Sequence, residues 1–359
     1  MTVTPVALYA VEHWGILSLP AACFQSREAI MKTWESFLPE TVNQKVCRLL
    51  LSCHKKSSRL VMLGELGRYP LLIKALVQTI KYKWSLLHSS NTLVTDAVSE
   101  MNSMGIDNWL YRVNQVEKMF NISIHPKLKT ADSVGQYVKK KLKSQFDIFW
   151  KSEISCKKIG SDGIDHNKLR FYSTLKSSFT REPYIDNAIS RNQRSWISRI
   201  RSSSSRLGIE LGRYRNIPVE SRICSFCSSG EIDDERHILL FCPLFDLKRA
   251  CFFGKISSIS PGFVNLSSEE KLKYILCPTS EILCKVINKF IRIMFNARDN
   301  IDEGIITPCY PTYNPPFTHL NNAEFDQFSD CDEGETSFSS SGSDLSEESF
   351  HSNLSGVVT

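Results

Sequence analysis

Residues 222–245 read Arg222-Ile223-Cys224-Ser225-Phe226-Cys227-Ser228-Ser229-Gly230-Glu231-Ile232-Asp233-Asp234-Glu235-Arg236-His237-Ile238-Leu239-Leu240-Phe241-Cys242-Pro243-Leu244-Phe245. Cys224, Cys227, His237 and Cys242 follow the spacing C-x2-C-x9-H-x4-C. A structural zinc ion takes four tetrahedral nitrogen or sulfur ligands and leaves no position for water. This set fills such a site, so the expected cofactor is one structural Zn2+ with no catalytic role. A C-x2-C pair alone would be weak, because free cysteines are often buried as small hydrophobes; the histidine and third thiol at ligand distances strengthen it. Asp233, Asp234 and Glu235 are expected in the first turn of a short helix bearing His237, where carboxylates favour the positive end of the dipole. Leu239, Leu240 and Phe241 would anchor that helix, and Cys242-Pro243 would stop it.

Outward from this cluster the chain reads as mainly α. In Leu71–His88, Ile73, Leu76, Val77, Ile80, Trp84 and Leu87 follow the i, i+3, i+4, i+7 rule, behind a start at Gly67-Arg68-Tyr69-Pro70. A second amphipathic helix is expected over about Asp132–Ile154, with Val134, Val138, Leu142, Phe146 and Phe149 inward and Lys139, Lys140, Lys141 and Lys143 mostly outward. A third is expected over about Ala188–Leu207, carrying Arg191, Arg194, Arg199, Arg201 and Arg206 around Trp196, Ile197 and Ile200, its end blurred by Ser202–Ser205. After the cysteine cluster, Pro278-Thr279-Ser280-Glu281 caps a helix over Ile282–Asn296, with Leu283, Val286, Ile287, Phe290 and Met294 as its core stripe. The division that follows is a helical region 1–125, a basic helical region 126–221, the zinc motif 222–250, a helical segment 251–302 and a tail 303–359. Prolines 308, 311, 315 and 316 break regular structure in that tail, and its Ser/Asp/Glu-rich end has too little apolar content to fold, so it is expected to be disordered.

Charge points to the partner. The 359-residue chain carries a net +6, yet no Lys or Arg follows Arg298, and residues 321–359 hold nine Asp and Glu. Without that end the balance is +15, and residues 127–222 alone carry 21 basic against 9 acidic side chains. Such a surface favours a polyanion. The expected phosphate contacts are Lys139, Lys140, Lys141, Arg194, Arg199, Arg201 and Arg206, with Trp196 or Phe226 as stacking surfaces, although Trp196 fits a core position better. The twelve scattered cysteines suit a reducing compartment. The apolar start is interrupted by Glu12 and His13 and lacks a basic leader, and no run reaches the ~18 apolar residues of a membrane span. An intracellular protein, nuclear or cytoplasmic, away from membranes is expected. No His-Glu-x-x-His or glycine-rich phosphate loop is present.

Several motifs in order resemble the C-terminal region of non-LTR retrotransposon endonuclease and reverse transcriptase polyproteins. They are Leu8-Tyr9-Ala10-Val11-Glu12-His13-Trp14-Gly15, Gly64-Glu65-Leu66-Gly67-Arg68-Tyr69-Pro70-Leu71, Lys168-Leu169-Arg170-Phe171-Tyr172, Arg181-Glu182-Pro183-Tyr184, Leu211-Gly212-Arg213-Tyr214 and the cysteine cluster through Phe245. The resemblance covers roughly residues 7–250. It implies RNA-directed DNA polymerase and endonuclease activity for a full polyprotein, with this region assisting template binding. It further implies that residues 1–125 follow a polymerase core absent here, and that a reverse transcriptase from another chain would be a partner beside RNA or DNA. Asp233-Asp234 is unlike the polymerase aspartate pair, because it lies between zinc ligands behind Glu231-Ile232. The loop also differs from the retroviral zinc knuckle, which has four residues before its histidine. The acidic end has no counterpart in the resemblance.

Two functions follow as expectations: a nucleic-acid-binding, zinc-stabilised fragment without a catalytic site, or a retained or inactive remnant serving as a protein-interaction scaffold. Deleting Asn321–Thr359 separates them. Tighter RNA or DNA binding by the shortened chain is expected if the acidic end competes for the basic face, and loss of a protein partner is expected if the chain is a scaffold.

Overall fold

Glu40 shows how the helices are fitted together. It lies fully buried on α1 (Leu38–Leu51), takes a 2.6 Å bond from Asn43, and its second oxygen accepts the backbone N–H of Leu71 at 2.7 Å. That carboxylate satisfies an orphan donor at the start of a helix, as a capping side chain would. The computed structural model describes residues 4–53, 57–158, 167–187 and 190–302, so the expected disordered acidic tail lies outside the described residues. Among them the longer helices after α1 are α2 (Arg59–Leu66), α3 (Leu71–Leu87), α4 (Thr92–Ser103), α5 (Trp109–Met119) and α6 (Ala131–Ser155). They continue with α7 (Ser195–Arg201), α8 (Gly208–Tyr214), α9 (Asp246–Ile259), α10 (Ser268–Leu276) and α11 (Glu281–Asp302). The described residues contain no strand, only an isolated antiparallel bridge between Ile223 and Ile232, and no helix is long and apolar enough to cross a membrane.

The expected stripes recur with local changes. On α3, Ile73, Leu76 and Ile80 are buried, but Leu87 faces solvent at the frayed end. Helix α6 starts at a Thr130/Ser133 capping box and buries Val134, Val138, Leu142, Phe146, Trp150 and Ile154. Trp150 takes the position expected for Phe149, since from Phe146 the next full turn falls there; its indole donates to the Leu60 carbonyl at 3.0 Å. The helix expected over 188–207 is only Ser195–Arg201 within the described residues. Ser202 and Ser204 turn their hydroxyls back to the Arg199 carbonyl and Ser203 takes a left-handed φ of 49°, which ends the helix by local side-chain bonding. Helix α11 runs past the expected Asn296 to Asp302 and places Arg298 one turn further on.

Regions 1–125, 126–221, 222–250 and 251–302 contribute to one hydrophobic cluster, from Leu8 to Phe295. Inside it lies a sealed ionic network. Arg201 is fully buried and donates twice to Glu65 at 2.8 Å, once to Glu182 at 2.9 Å and once to the Leu276 carbonyl at 3.0 Å. Tyr184 donates to Glu65 at 2.6 Å, and Lys176 neutralises Glu182. Gly67, with φ of 57°, closes this corner, where a Cβ would stand 2.6 Å from the Arg181 nitrogen. The segments Gly64–Leu71 and Arg181–Tyr184 therefore meet in space. Arg201 is thereby removed from the expected phosphate contacts: burial is tolerable only because two carboxylates claim its guanidinium, which cannot reach an external anion.

Removing one partner of a buried ion cluster leaves uncompensated charge, so Arg201→Met is expected to lower unfolding stability by about 3–5 kcal/mol. Urea denaturation of the variant beside wild type checks this; an unchanged midpoint would contradict it.

Candidate metal centre and basic groove

The loop that carries the ligands is a narrow hairpin. The Cys224 N–H donates to the Glu231 carbonyl and the Asp233 N–H to the Arg222 carbonyl, both at 2.9 Å, and Gly230 turns the chain with φ of 70°. Asp234 caps the helical turn that follows, its Oδ1 accepting the His237 N–H at 2.8 Å. From His237 to Phe241 the turn is a π turn, closed by the Cys242 N–H on the His237 carbonyl at 2.7 Å. A π turn stacks residues five apart, which is how the x4 spacing brings Cys242 under His237. Arg249 of α9 holds the turn from below, donating to the carbonyls of Leu239 at 3.1 Å and Cys242 at 2.8 Å.

Cys224, Cys227, His237 and Cys242 each offer one ligand atom, and all four atoms lie within 4.8 Å of one another. His237 Nε2 is 3.4 Å from Cys227 Sγ, while Nδ1 is buried with no protein partner. Around a tetrahedral centre with bonds of about 2.3 Å to sulfur and 2.0–2.1 Å to nitrogen, ligand atoms stand about 3.5–3.8 Å apart. Separations of at most 4.8 Å therefore need to close by no more than about 1 Å to hold a metal ion. Its donor set fits: the Cys224 thiol is pushed up to about 12 by its hydrogen bond with Cys242 and by burial, and a coordinated cation would reverse that balance by taking thiolates.

The three acids between the ligands have three different places, which corrects the expectation that all share the first turn. Asp234 caps. Glu235 is in the turn but buried, its carboxyl pushed up to about 7 by burial against the partial compensation of Arg170. Asp233 precedes the turn and is nearly fully buried; it accepts the Gly208 N–H at 2.6 Å and two bonds from Arg298 at 2.7 and 3.0 Å. The same guanidinium reaches Cys224 Sγ at 3.6 Å and lies 4.6 Å over the Phe226 ring. Arg298 thus bridges the cluster and the last helix, the outer contact that orients a ligand and offsets thiolate charge. Arg298 covers one face of the half-buried Phe226 ring.

The expected phosphate residues divide between two surfaces. Arg199 and Arg206 line a groove of about 890 Å3 together with Arg191, Lys168, Trp196 and the serines 203–205. Arg191 and Lys168, named in the expected helix and in the Lys168–Tyr172 motif, are not among the expected phosphate contacts, yet the fold brings both to this groove. The Arg191 Nε donates to Ser52 Oγ at 2.6 Å and the Arg199 Nε to the Ser52 carbonyl at 3.2 Å, so these cations also close the C-terminal end of α1. Arg194 donates to the Leu50 carbonyl at 3.2 Å beside them. Trp196 is engaged by Phe295, stacked at 5.0 Å, and by the Arg199 guanidinium at 4.7 Å, so it positions that arginine. Arg206 is exposed and paired with Asp299 at 3.1 Å. Glu210 also lines the groove, but burial pushes its carboxyl up while Arg213 pairs with it. Lys139 and Lys140 are exposed and Lys141 half-buried on α6, apart from this groove.

Compared with family models, curated proteins and solved structures, the chain finds no match.

Removal of an outer-shell partner typically costs 10–100-fold in metal affinity, and Arg298→Gln is expected to weaken Co2+ or Zn2+ binding by about that factor while leaving one ion per chain. Competition against a chromophoric chelator reads the affinity, and an unchanged constant would remove Arg298 from the site.

Proposed function

We propose that the chain is a zinc-stabilised nucleic-acid-binding module in which the Cys3His cluster holds one structural zinc ion and the groove at Arg191, Arg199 and Arg206 takes the phosphate backbone. The groove carries the reading: Lys168 and three arginines line it, and of its two acids one is paired with Arg206 and the other is buried against Arg213. Guanidinium groups suit phosphate because their planar donors match two oxygens at once. The serines 203–205 shape the same wall, the Ser203 and Ser204 hydroxyls being held on the carbonyls of Lys168 and Arg199. Zinc serves this surface indirectly. It fixes the 224–242 loop against α11, the helix that also contributes Phe295 and Asp299 to the groove.

The ordered motifs that resemble the C-terminal region of non-LTR retrotransposon polyproteins support the same partner class, as does the net +12 of residues 127–222. On this reading the chain binds and does not catalyse, and a reverse transcriptase on another chain would supply the chemistry. The scaffold alternative draws only on the acidic end, which lies outside the described residues.

Each phosphate neutralised on a single strand contributes a slope of about −0.7 in log K against log salt. The Arg191→Gln, Arg206→Gln double variant is expected to bind a mixed-sequence 20-nucleotide RNA or DNA more weakly and with a slope shallower by about 1.4. Fluorescence anisotropy across a salt series measures it. Salt-independent affinity of the wild type would overturn the proposal.

A further inference from the structure

A second basic surface lies where α3 and α6 pack together. Gly135 of α6 faces Lys81 and Val77 of α3 there, a Cβ at Gly135 standing 3.4 Å from the Lys81 side chain, an ordinary contact. Beside the contact runs a groove of about 630 Å3 lined by Arg68, Lys74, Lys81, Lys139 and Lys143, with Tyr69 at one end. Its one acidic lining residue is Asp132, which accepts from Lys81 at 2.5 Å. Five cations therefore face one carboxylate. The groove floor is apolar, with Ile73 and Val77.

The cations are arranged as well as numerous. Lys139 and Lys143 are one turn apart on α6, which spaces their stems by about 5–6 Å along the helix. Lys74 and Lys81 are two turns apart on α3 and form the opposite rim. Lys143 is fixed over the Tyr69 ring at 4.2 Å, and Tyr69 in turn donates to Asp147 at 2.8 Å. Burial, and after it the like charge of Lys139, press the Lys143 ammonium below its ordinary range, with Asp147 offsetting part of this. A line of cations on both rims of an apolar-floored channel matches a chain of phosphates joined by sugars better than it matches a single compact anion.

We infer that the α3–α6 groove is a second nucleic-acid contact, which holds the phosphodiester backbone without reading bases. This rests on the proposed function for the class of partner, but it uses none of the same residues. Sequence had assigned Lys139, Lys140 and Lys141 to phosphate as one run; the helix turns them apart, and Lys139 instead joins Arg68, Lys74, Lys81 and Lys143.

The test uses the full chain and two double variants, Lys74→Gln, Lys139→Gln and Arg191→Gln, Arg206→Gln, against two 20-nucleotide RNAs of unrelated sequence. Lys74→Gln, Lys139→Gln is expected to weaken both RNAs by the same factor, about 10-fold near 0.1 M salt, and to make the salt slope shallower by about 1.4, with an unchanged melting temperature. If Arg191→Gln, Arg206→Gln alone weakens binding, the inference fails and the proposed function stands. If Lys74→Gln, Lys139→Gln alone does so, this groove stands and the other is wrong. If neither does, both fail. Polyglutamate bound as tightly as RNA, with the same slope, would overturn the assignment to phosphodiester.

Discussion

Arg298 stands with its guanidinium between a buried carboxylate and a cysteine sulfur, and the C-terminal half of the structure depends on that placement. Asp233 cannot be buried without a cation, and Arg298 cannot be buried without an anion. Their pairing seats the 224–242 loop on α11. The loop itself is short and has only one isolated bridge, too little backbone pairing to hold a hairpin alone. A metal ion on Cys224, Cys227, His237 and Cys242 would supply the missing cross-link, and Arg298 would tie that cross-link to the core.

The second constraint is the network of Glu65, Arg201, Glu182 and Lys176, two negative and two positive groups with almost no exposure. Such clusters add little net stability over apolar packing, but losing one member leaves its partner charged in a dry interior. Here the members come from α2, the 176–184 segment and α7, with the end of α10 accepting from Arg201. The network gives a physical reason for the sequence pattern at Gly64–Leu71 and Arg181–Tyr184, where a left-handed glycine and a tight backbone approach are required alongside the charges.

Local chemistry was legible in the sequence and distant pairing was not. The four candidate metal ligands announce themselves by spacing, since each lies within reach of the others along one short stretch. The stripes of α3, α6 and α11 follow from periodicity, which sets faces well and ends poorly; Leu87 and the exchange of Phe149 for Trp150 show the limit. Arg201 looked like Arg199 because a wheel cannot see Glu65, 136 residues away along the chain. Arg298 was invisible for the same reason, being 74 residues from Cys224. The short α7 was misjudged because serine hydroxyls bonded their own backbone. The run Lys139–Lys141 suggested one patch, whereas the helix gives each residue its own direction.

The functional account depends on the loop being held by metal, because that loop seats on α11 through Asp233 and Arg298, and α11 contributes Phe295 and Asp299 to the arginine groove. Metal content of the purified full chain by mass spectrometry, beside the Cys224→Ser, Cys227→Ser double variant, tests this most directly. The account predicts one zinc per chain in the wild type and none in the variant. Well-folded wild-type protein without zinc would contradict it, and the cluster would then be four buried polar residues packed by Arg298 alone.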